Sequence, residues 1–125
     1  MKNYLERLRF AIDLRTKQHA QITLKHQDTA QTYQLDEGAS TCVFDTVVYD
    51  TGENTLELHI ESGTIKILDL RIHGVSVGLG IYRCDYVTSK HESKGTVLNL
   101  GEQGVWRYQF DTPVHESNHW KIGLV

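Results

Sequence analysis

TLELHIESGTIKILDLRIHGVSVGLGIYRCDY, residues 55–86, is the stretch on which the reading of the whole chain turns. Leu56, Leu58 and Ile60 alternate with Glu57, His59 and Glu61. A period of two is what a strand buried on one face requires, because successive side chains leave a pleated backbone in opposite directions. Glu61, Ser62 and Gly63 then give a turn signal. Over residues 64–72 the apolar positions start in one phase with Ile65 and Ile67 and continue in the other with Leu68, Leu70 and Ile72. Such a slip keeps both halves facing a core only if one residue is bulged out, so it predicts a β-bulge beside Ile67 and Leu68. Gly74, Gly78 and Gly80 interrupt the chain before a third run, residues 81–87, that carries Tyr82, Cys84 and Tyr86. The stretch predicts an antiparallel meander at the centre of an all-β domain.

Working outward toward the N-terminus, residues 42–49 are rich in β-branched and aromatic side chains and read as a strand, and residues 50–54, DTGEN, as a polar loop. Asp36, Glu37 and Gly38 mark a turn after a short strand over residues 32–35. Residues 21–27 alternate, with Ile22 and Leu24 inward. The first seventeen residues read two ways. Tyr4, Leu5, Leu8 and Ile12 fit one helix face, whereas Leu8, Phe10, Ile12 and Leu14 alternate with Arg7, Arg9, Asp13 and Arg15 as in a strand. The strand reading, as the first strand of the core sheet, is preferred to a free N-terminal arm over residues 1–17.

Toward the C-terminus, residues 88–94 read as a solvated loop, and residues 95–100 and 105–112 as a hairpin. Trp106, Tyr108 and Phe110 share one face of its second strand, a spacing expected of core residues rather than of a sugar platform. Pro113 ends that strand. Short strands with near-regular turn signals and no long helix predict a single antiparallel β-sandwich or jelly-roll domain over residues 1–125.

Composition sets the limits on function. A net charge of −3 and a pI of about 6.1 argue against a nucleic-acid binder, which carries a basic stripe. No apolar run reaches membrane-spanning length, so insertion is not expected. The charged opening MKNYLERLRF lacks the apolar region of a signal peptide, which predicts synthesis in the cytoplasm of the producing cell. The two cysteines, Cys42 and Cys84, are then expected to be reduced, buried thiols.

Three sets of residues merit weighing as sites. His115-Glu116-Ser117-Asn118-His119 matches H-E-x-x-H, in which a helix sets two histidines on zinc and the glutamate acts as base. Here the motif follows Pro113 and contains Ser and Asn, poor helix formers, and a third ligand would have to come from His59, His73 or His91. A polar loop before a last strand over residues 120–125 is the expected reading, and zinc is not expected. Asp45, Asp50, Glu53, Asp69, Asp85 and Asp111 lie on strands or at their ends, and a cluster including Asp45, Asp69 and Asp85 could hold calcium. Asp69 and Asp85 interrupt apolar runs and so are expected to have structural partners. Tyr49, Tyr82 and Trp120 are the candidates for exposed, ligand-binding aromatics. No nucleophile elbow, phosphate-binding glycine loop or paired-cysteine motif is present, so no catalytic residue is assigned.

GENTLELHIESG, KILDLRIHGVSVGLGIYRCDY and VLNLGEQGVWRYQFDTPV together resemble small virion proteins of tailed bacteriophages, above all T4-like phages of marine and freshwater hosts, which are themselves described as similar to calcium-dependent carbohydrate-binding modules. The likeness rests on Ile72-His73-Gly74, on Tyr82 and Tyr86, on Leu100-Gly101 leading to Trp106, and on Phe110 leading to Pro113-Val114. After Val114 the chain departs from that pattern with HESNHWKIGLV. The resemblance implies a β-sandwich located in the virion, a non-enzymatic capsid decoration or tail accessory protein whose partners are other virion proteins and copies of itself. Its alternative implication is an adhesin-like, calcium-dependent module that binds a surface glycan.

Overall fold

The computed structural model describes residues 6–49, 52–77, 84–88, 99–100 and 104–112, and the regular secondary structure among them is entirely strand. In chain order the strands are β1 (Glu6–Thr16), β2 (Ala20–His26), β3 (Thr29–Leu35), β4 (Gly38–Val48), β5 (Gly52–Ser62), β6 (Ile65–Ile72), β7 (Val75–Ser76), β8 (Cys84–Thr88), β9 (Asn99–Leu100) and β10 (Gly104–Thr112). They form two antiparallel sheets. The first runs β4-β1-β6-β7, with β9 also paired to β6, and the second runs β3-β2-β5-β10-β8. The architecture is the all-β sandwich that the alternation predicts.

Alternation in each strand sends one set of side chains between the sheets. Leu8, Phe10, Ile12 and Leu14 of β1 are buried with Phe44 of β4 and Ile67 and Leu70 of β6. Against them the second sheet sets Ile22, Leu24, Leu56, Leu58, Trp106 and Phe110. Phe10 and Phe110 meet edge to face across the gap, with centroids 5.4 Å apart, a favoured aromatic geometry. Trp106, Tyr108 and Phe110 are core residues, as their spacing suggested. At one margin the Tyr33 hydroxyl of β3 donates to the Val43 carbonyl of β4 at 2.5 Å and so ties the outer strands of the two sheets together. Burial, with the charges of Cys42 and Asp45 adding, pushes that phenol up to about 12.

The phase slip is a bulge. Asp13 pairs with Asp69 and Leu14 with Ile67, so Leu68 has no partner on β1 and stands 43% exposed while Ile67 and Leu70 both face the core. The expected meander is not formed. β5 and β6 lie in different sheets, and β8 pairs with β10. The turn after β5 thus carries the chain from one sheet to the other instead of reversing it within one. Strand alternation specifies the buried face but not the sheet, and a sandwich offers that face to either. The same correction holds for the expected last hairpin, since β9 pairs with β6 whereas β10 lies between β5 and β8. Among the described residues the hairpins formed are β2–β3, with Gln27 at φ +52, and β6–β7, whose turn residues His73 and Gly74 have φ +53 and +81.

Residues 6–16 are neither helix nor free arm: β1 lies between β4 and β6, hydrogen-bonded on both sides. Cys42 and Cys84 are thiols, not disulfide-bonded, buried in opposite sheets, and burial pushes the Cys42 thiol up to about 11, which leaves it protonated and unreactive near neutral pH. No helix among the described residues is long and apolar enough to cross a membrane.

Candidate functional site

The outer face of the second sheet carries the polar phase of its strands. Register sets Lys25 of β2, Glu57 of β5 and Arg107 of β10 in one row, and Thr23, His59 and Val105 in the next. Glu57 is held from two sides. Its Oε1 accepts from His59 Nε2 at 2.9 Å, and its Oε2 lies 3.3 Å from Arg107 Nε. Burial alone would raise this carboxyl, but the His59 hydrogen bond and charge, with Arg107 adding, outweigh it and hold Glu57 below the usual glutamate value. Beside this row lies an open groove of about 370 Å³ lined by Lys25, Gln27, Glu53, Asn54, Thr55 and Glu57.

The floor of the groove is fixed from inside the sandwich. His26 falls on the inward phase of β2 and is 1% exposed. Its Nε2 meets Asn54 Oδ1 at 3.0 Å, and Gln27 Nε2 donates to the same oxygen at 3.0 Å. Its Nδ1 meets the Thr46 hydroxyl of the opposite sheet at 2.8 Å. An amide oxygen can only accept, so His26 Nε2 carries the proton and Nδ1 accepts from Thr46 when the ring is neutral. Burial pushes the His26 pKa down, partly opposed by the Asn54 bond, so the neutral ring is the stable form near neutral pH. The imidazole also packs against Phe110, with centroids 5.7 Å apart. Asn54 and Gln27 therefore reach the groove already oriented, and the groove offers an ammonium, two amides, a hydroxyl and two carboxylates. Such a set hydrogen-bonds a polyhydroxylated molecule; the aromatic side chains of β10 that could stack on a ring point the other way.

Of the residues singled out from sequence, Tyr49 follows β4 and is 37% exposed. Asp45 lies on the outer face of the first sheet, bound by Arg9 through Nε at 2.8 Å and Nη2 at 3.1 Å; the Arg9 hydrogen bond holds its carboxyl below the usual aspartate value. Asp69, beside the bulge, accepts from the Leu70 amide at 2.9 Å and the Ser76 hydroxyl at 2.7 Å. Asp85 is aligned with Arg107 in the second sheet. Asp45 and Asp69 are separated by β1, and Asp85 is in the other sheet, so the structure does not bring the three together. Among the described residues no three His, Cys, Asp or Glu side chains group to hold a metal ion, and these residues do not fit a protein-built calcium cage. Glu53 and Asp111 sit opposite each other on β5 and β10. Tyr82, His115, His119 and Trp120, with Asp50 and His91, lie outside the described residues. The alternation did not single out His26, although a polar residue continuing the inward phase of Ile22 and Leu24 is a signal for it; Asn54 was read as loop.

Two antiparallel sheets packed face to face, with a polar groove on one outer face, define a β-sandwich similar to carbohydrate-binding modules. Two solved structures of one such module, vCBM60, carry that likeness. A selenomethionine form, described in the setting of a circular permutation linking two families of calcium-dependent carbohydrate-binding modules, matches 81% of this chain and 89% of its own at 14% identity, with a TM-score of 0.58. Its complex with galactobiose matches 80% of this chain and 96% of its own at 12% identity, with a TM-score of 0.55. At such identities the likeness is one of fold. No protein-family model and no curated protein matches the sequence.

Proposed function

We propose that this chain is a non-catalytic carbohydrate-binding domain that takes a saccharide in the groove of Lys25, Gln27, Asn54, Thr55 and Glu57. The observation that carries the reading is the groove itself, in which hydrogen-bonding groups are fixed before any ligand arrives, by His26 below Asn54 and by His59 and Arg107 around Glu57. Preorganisation of this kind lowers the entropy cost of binding a flexible, hydroxyl-rich ligand. The sandwich shared with vCBM60, solved with galactobiose bound, supports the same reading. Lys25 and the amide of Gln27 donate to sugar hydroxyls, and the remaining lone pairs of Glu57 accept from them. Calcium enters no step of this scheme.

A glycan array run in calcium and again in EDTA tests it. Binding of an oligosaccharide that is lost in Lys25→Ala and in Glu57→Gln, with the far-ultraviolet spectrum unchanged, supports the groove; an array silent under both conditions overturns it. A second reading rests on the resemblance of VLNLGEQGVWRYQFDTPV and the segments before it to small tailed-phage proteins: a domain of this kind carried on the virion, as capsid decoration or tail accessory, with other virion proteins and its own copies as partners. Mass-spectrometric localisation in purified particles decides that, and absence from the particle ends it.

A further inference from the structure

We infer that the outer edge of β4 is a self-pairing surface: β4 of a second copy of this chain adds to it antiparallel about a two-fold axis at Val43, and the Tyr33 hydroxyl holds that pairing in check. This surface shares no residue with the saccharide groove, which lies on the other sheet. The direction of the backbone groups on β4 follows from β1. The His73 amide donates to the Arg9 carbonyl at 2.9 Å, so Arg9 and, by alternation, Ala11 and Asp13 turn their peptide groups toward β6. Leu8, Phe10, Ile12 and Leu14 turn theirs toward β4, where register sets them against Thr46, Phe44, Cys42 and Ser40. The intervening residues of β4, Ala39, Thr41, Val43, Asp45 and Val47, are left with N–H and C=O groups directed away from β1. The 2.5 Å bond from the Tyr33 hydroxyl to the Val43 carbonyl has that same direction, and among the described residues it is the one hydrogen bond made to these groups.

Edge strands are usually blunted by a lysine, a proline or a bulge, which discourages the addition of another strand. β4 runs for 11 residues in unbroken register with β1 and has none of these. Its one charge, Asp45, is matched by Arg9 of the same chain. The other exposed side chains along it are uncharged, and Val43 is 45% exposed. Tyr33 is the remaining guard, and it closes the central carbonyl with a single hydrogen bond. The strand is complementary to itself, which is why the occupant is a second copy. About an axis at Val43, Thr41 comes opposite Asp45 of the second copy and Ala39 opposite its Val47. On the buried phase Cys42 comes opposite its Phe44, small against large, so the apolar layer of each sandwich continues across the join. Only the Asp45 carboxylates are charged, and this register keeps them apart; an axis at Asp45 would set them face to face, which is unfavourable.

The test is analytical sedimentation of the full chain between about 10 μM and about 1 mM, on the wild type and on Tyr33→Phe, Val43→Lys and Val43→Glu. The expected result is a monomer–dimer equilibrium that Tyr33→Phe tightens about fivefold, because the Val43 carbonyl then accepts from the second copy without first giving up a bond. Val43→Lys and Val43→Glu each set like charges at the axis and should sediment as monomers. Their equal mixture should pair as a heterodimer, a restoration that misfolded variants would not give. As concentration rises, the Thr41, Val43 and Asp45 amides should become slow to exchange with deuterium, whereas those of Cys42, Phe44 and Thr46 should be slow throughout. Wild-type and Tyr33→Phe chains that both stay monomeric to about 1 mM, a dimer that persists in Val43→Lys, a mixture that stays monomeric, or alternate amides that stay open in the dimer each overturns the inference. A dimer no tighter in Tyr33→Phe than in the wild type overturns the part given to Tyr33.

Discussion

The buried His26 makes the fold sensitive to pH in a window set by an ordinary histidine. In the unfolded chain the ring titrates near 6.5, whereas burial in the sandwich lowers its native pKa. The native state then binds fewer protons than the unfolded state as pH falls through 6.5, so the stabilisation is complete above that value and is lost as acid is added, until the native ring itself protonates. The slope cannot exceed about 1.4 kcal/mol per pH unit for one group. Between pH 7 and pH 5 the largest loss, reached if the native ring takes up no proton, is about 2 kcal/mol, or about 8 °C in melting temperature for a domain of this size. Protonation would also turn Nδ1 from acceptor to donor and force the Thr46 hydroxyl to rotate. The assay is thermal melting by circular dichroism at half-unit steps from pH 7 to pH 5, on the wild-type chain and on His26→Gln. Glutamine keeps a donor toward Asn54 and an acceptor toward Thr46 but does not titrate. The variant should be less stable at pH 7 because it loses the packing on Phe110, and its stability should be flat over the window. An equal slope in both proteins, or none in the wild type, would refute this account of the core.

Gly63→Ala should cost about 2–4 kcal/mol in urea denaturation, because φ is +84 and the new Cβ would lie 2.7 Å from Ala20 Cβ and 2.8 Å from the His19 carbonyl; a cost below 1 kcal/mol would mean that the crossing between sheets can shift. Deleting residues 1–16 should abolish the cooperative melt, since it removes β1 from the middle of the first sheet; a truncated chain that still folds would restore the arm reading. In a Cys84→Ser variant, Cys42 should ignore a thiol-disulfide reagent at pH 8 until urea is added, because the thiol is 2% exposed and pushed up to about 11, and rapid native labelling would contradict its burial.

Local patterning reveals part of this fold. Leu56, Leu58 and Ile60 announced a strand and its buried face, and the slip at Leu68 announced the bulge, because a one-residue error would turn either half of β6 away from the core. Pairing was less legible. Nothing in Glu61, Ser62 and Gly63 distinguishes a turn that returns the chain to the same sheet from one that passes it to the other. The distinction lies in what surrounds Gly63, where Ala20 and the His19 carbonyl leave no room for a Cβ, and those residues are more than forty positions earlier. Contacts between sheets are long-range, and a period of two carries no record of them.

The groove was harder to see for a related reason. Its acidic and basic groups belong to the polar phase of ordinary strands, where solvated side chains are the rule, and only the register of β2, β5 and β10 gathers Lys25, Glu57 and Arg107 into a row. What sets this row apart from any other polar sheet face is the support beneath it. His26 joins Asn54 of the polar groove to Thr46 of the opposite sheet. A buried ring bonded to both sheets cannot change its hydrogen bonds on one side without disturbing the other. Ligand in the groove that tightens the Asn54 bond to His26 should therefore raise the His26 pKa, because that bond opposes the effect of burial, and a fall in pH that charges His26 should strengthen ligand binding by the same factor, because the linkage is reciprocal. Saccharide affinity that rises as the pH falls from 7 to 5 in the wild type and stays level in His26→Gln would place the histidine within the binding machinery; parallel curves would confine it to the core.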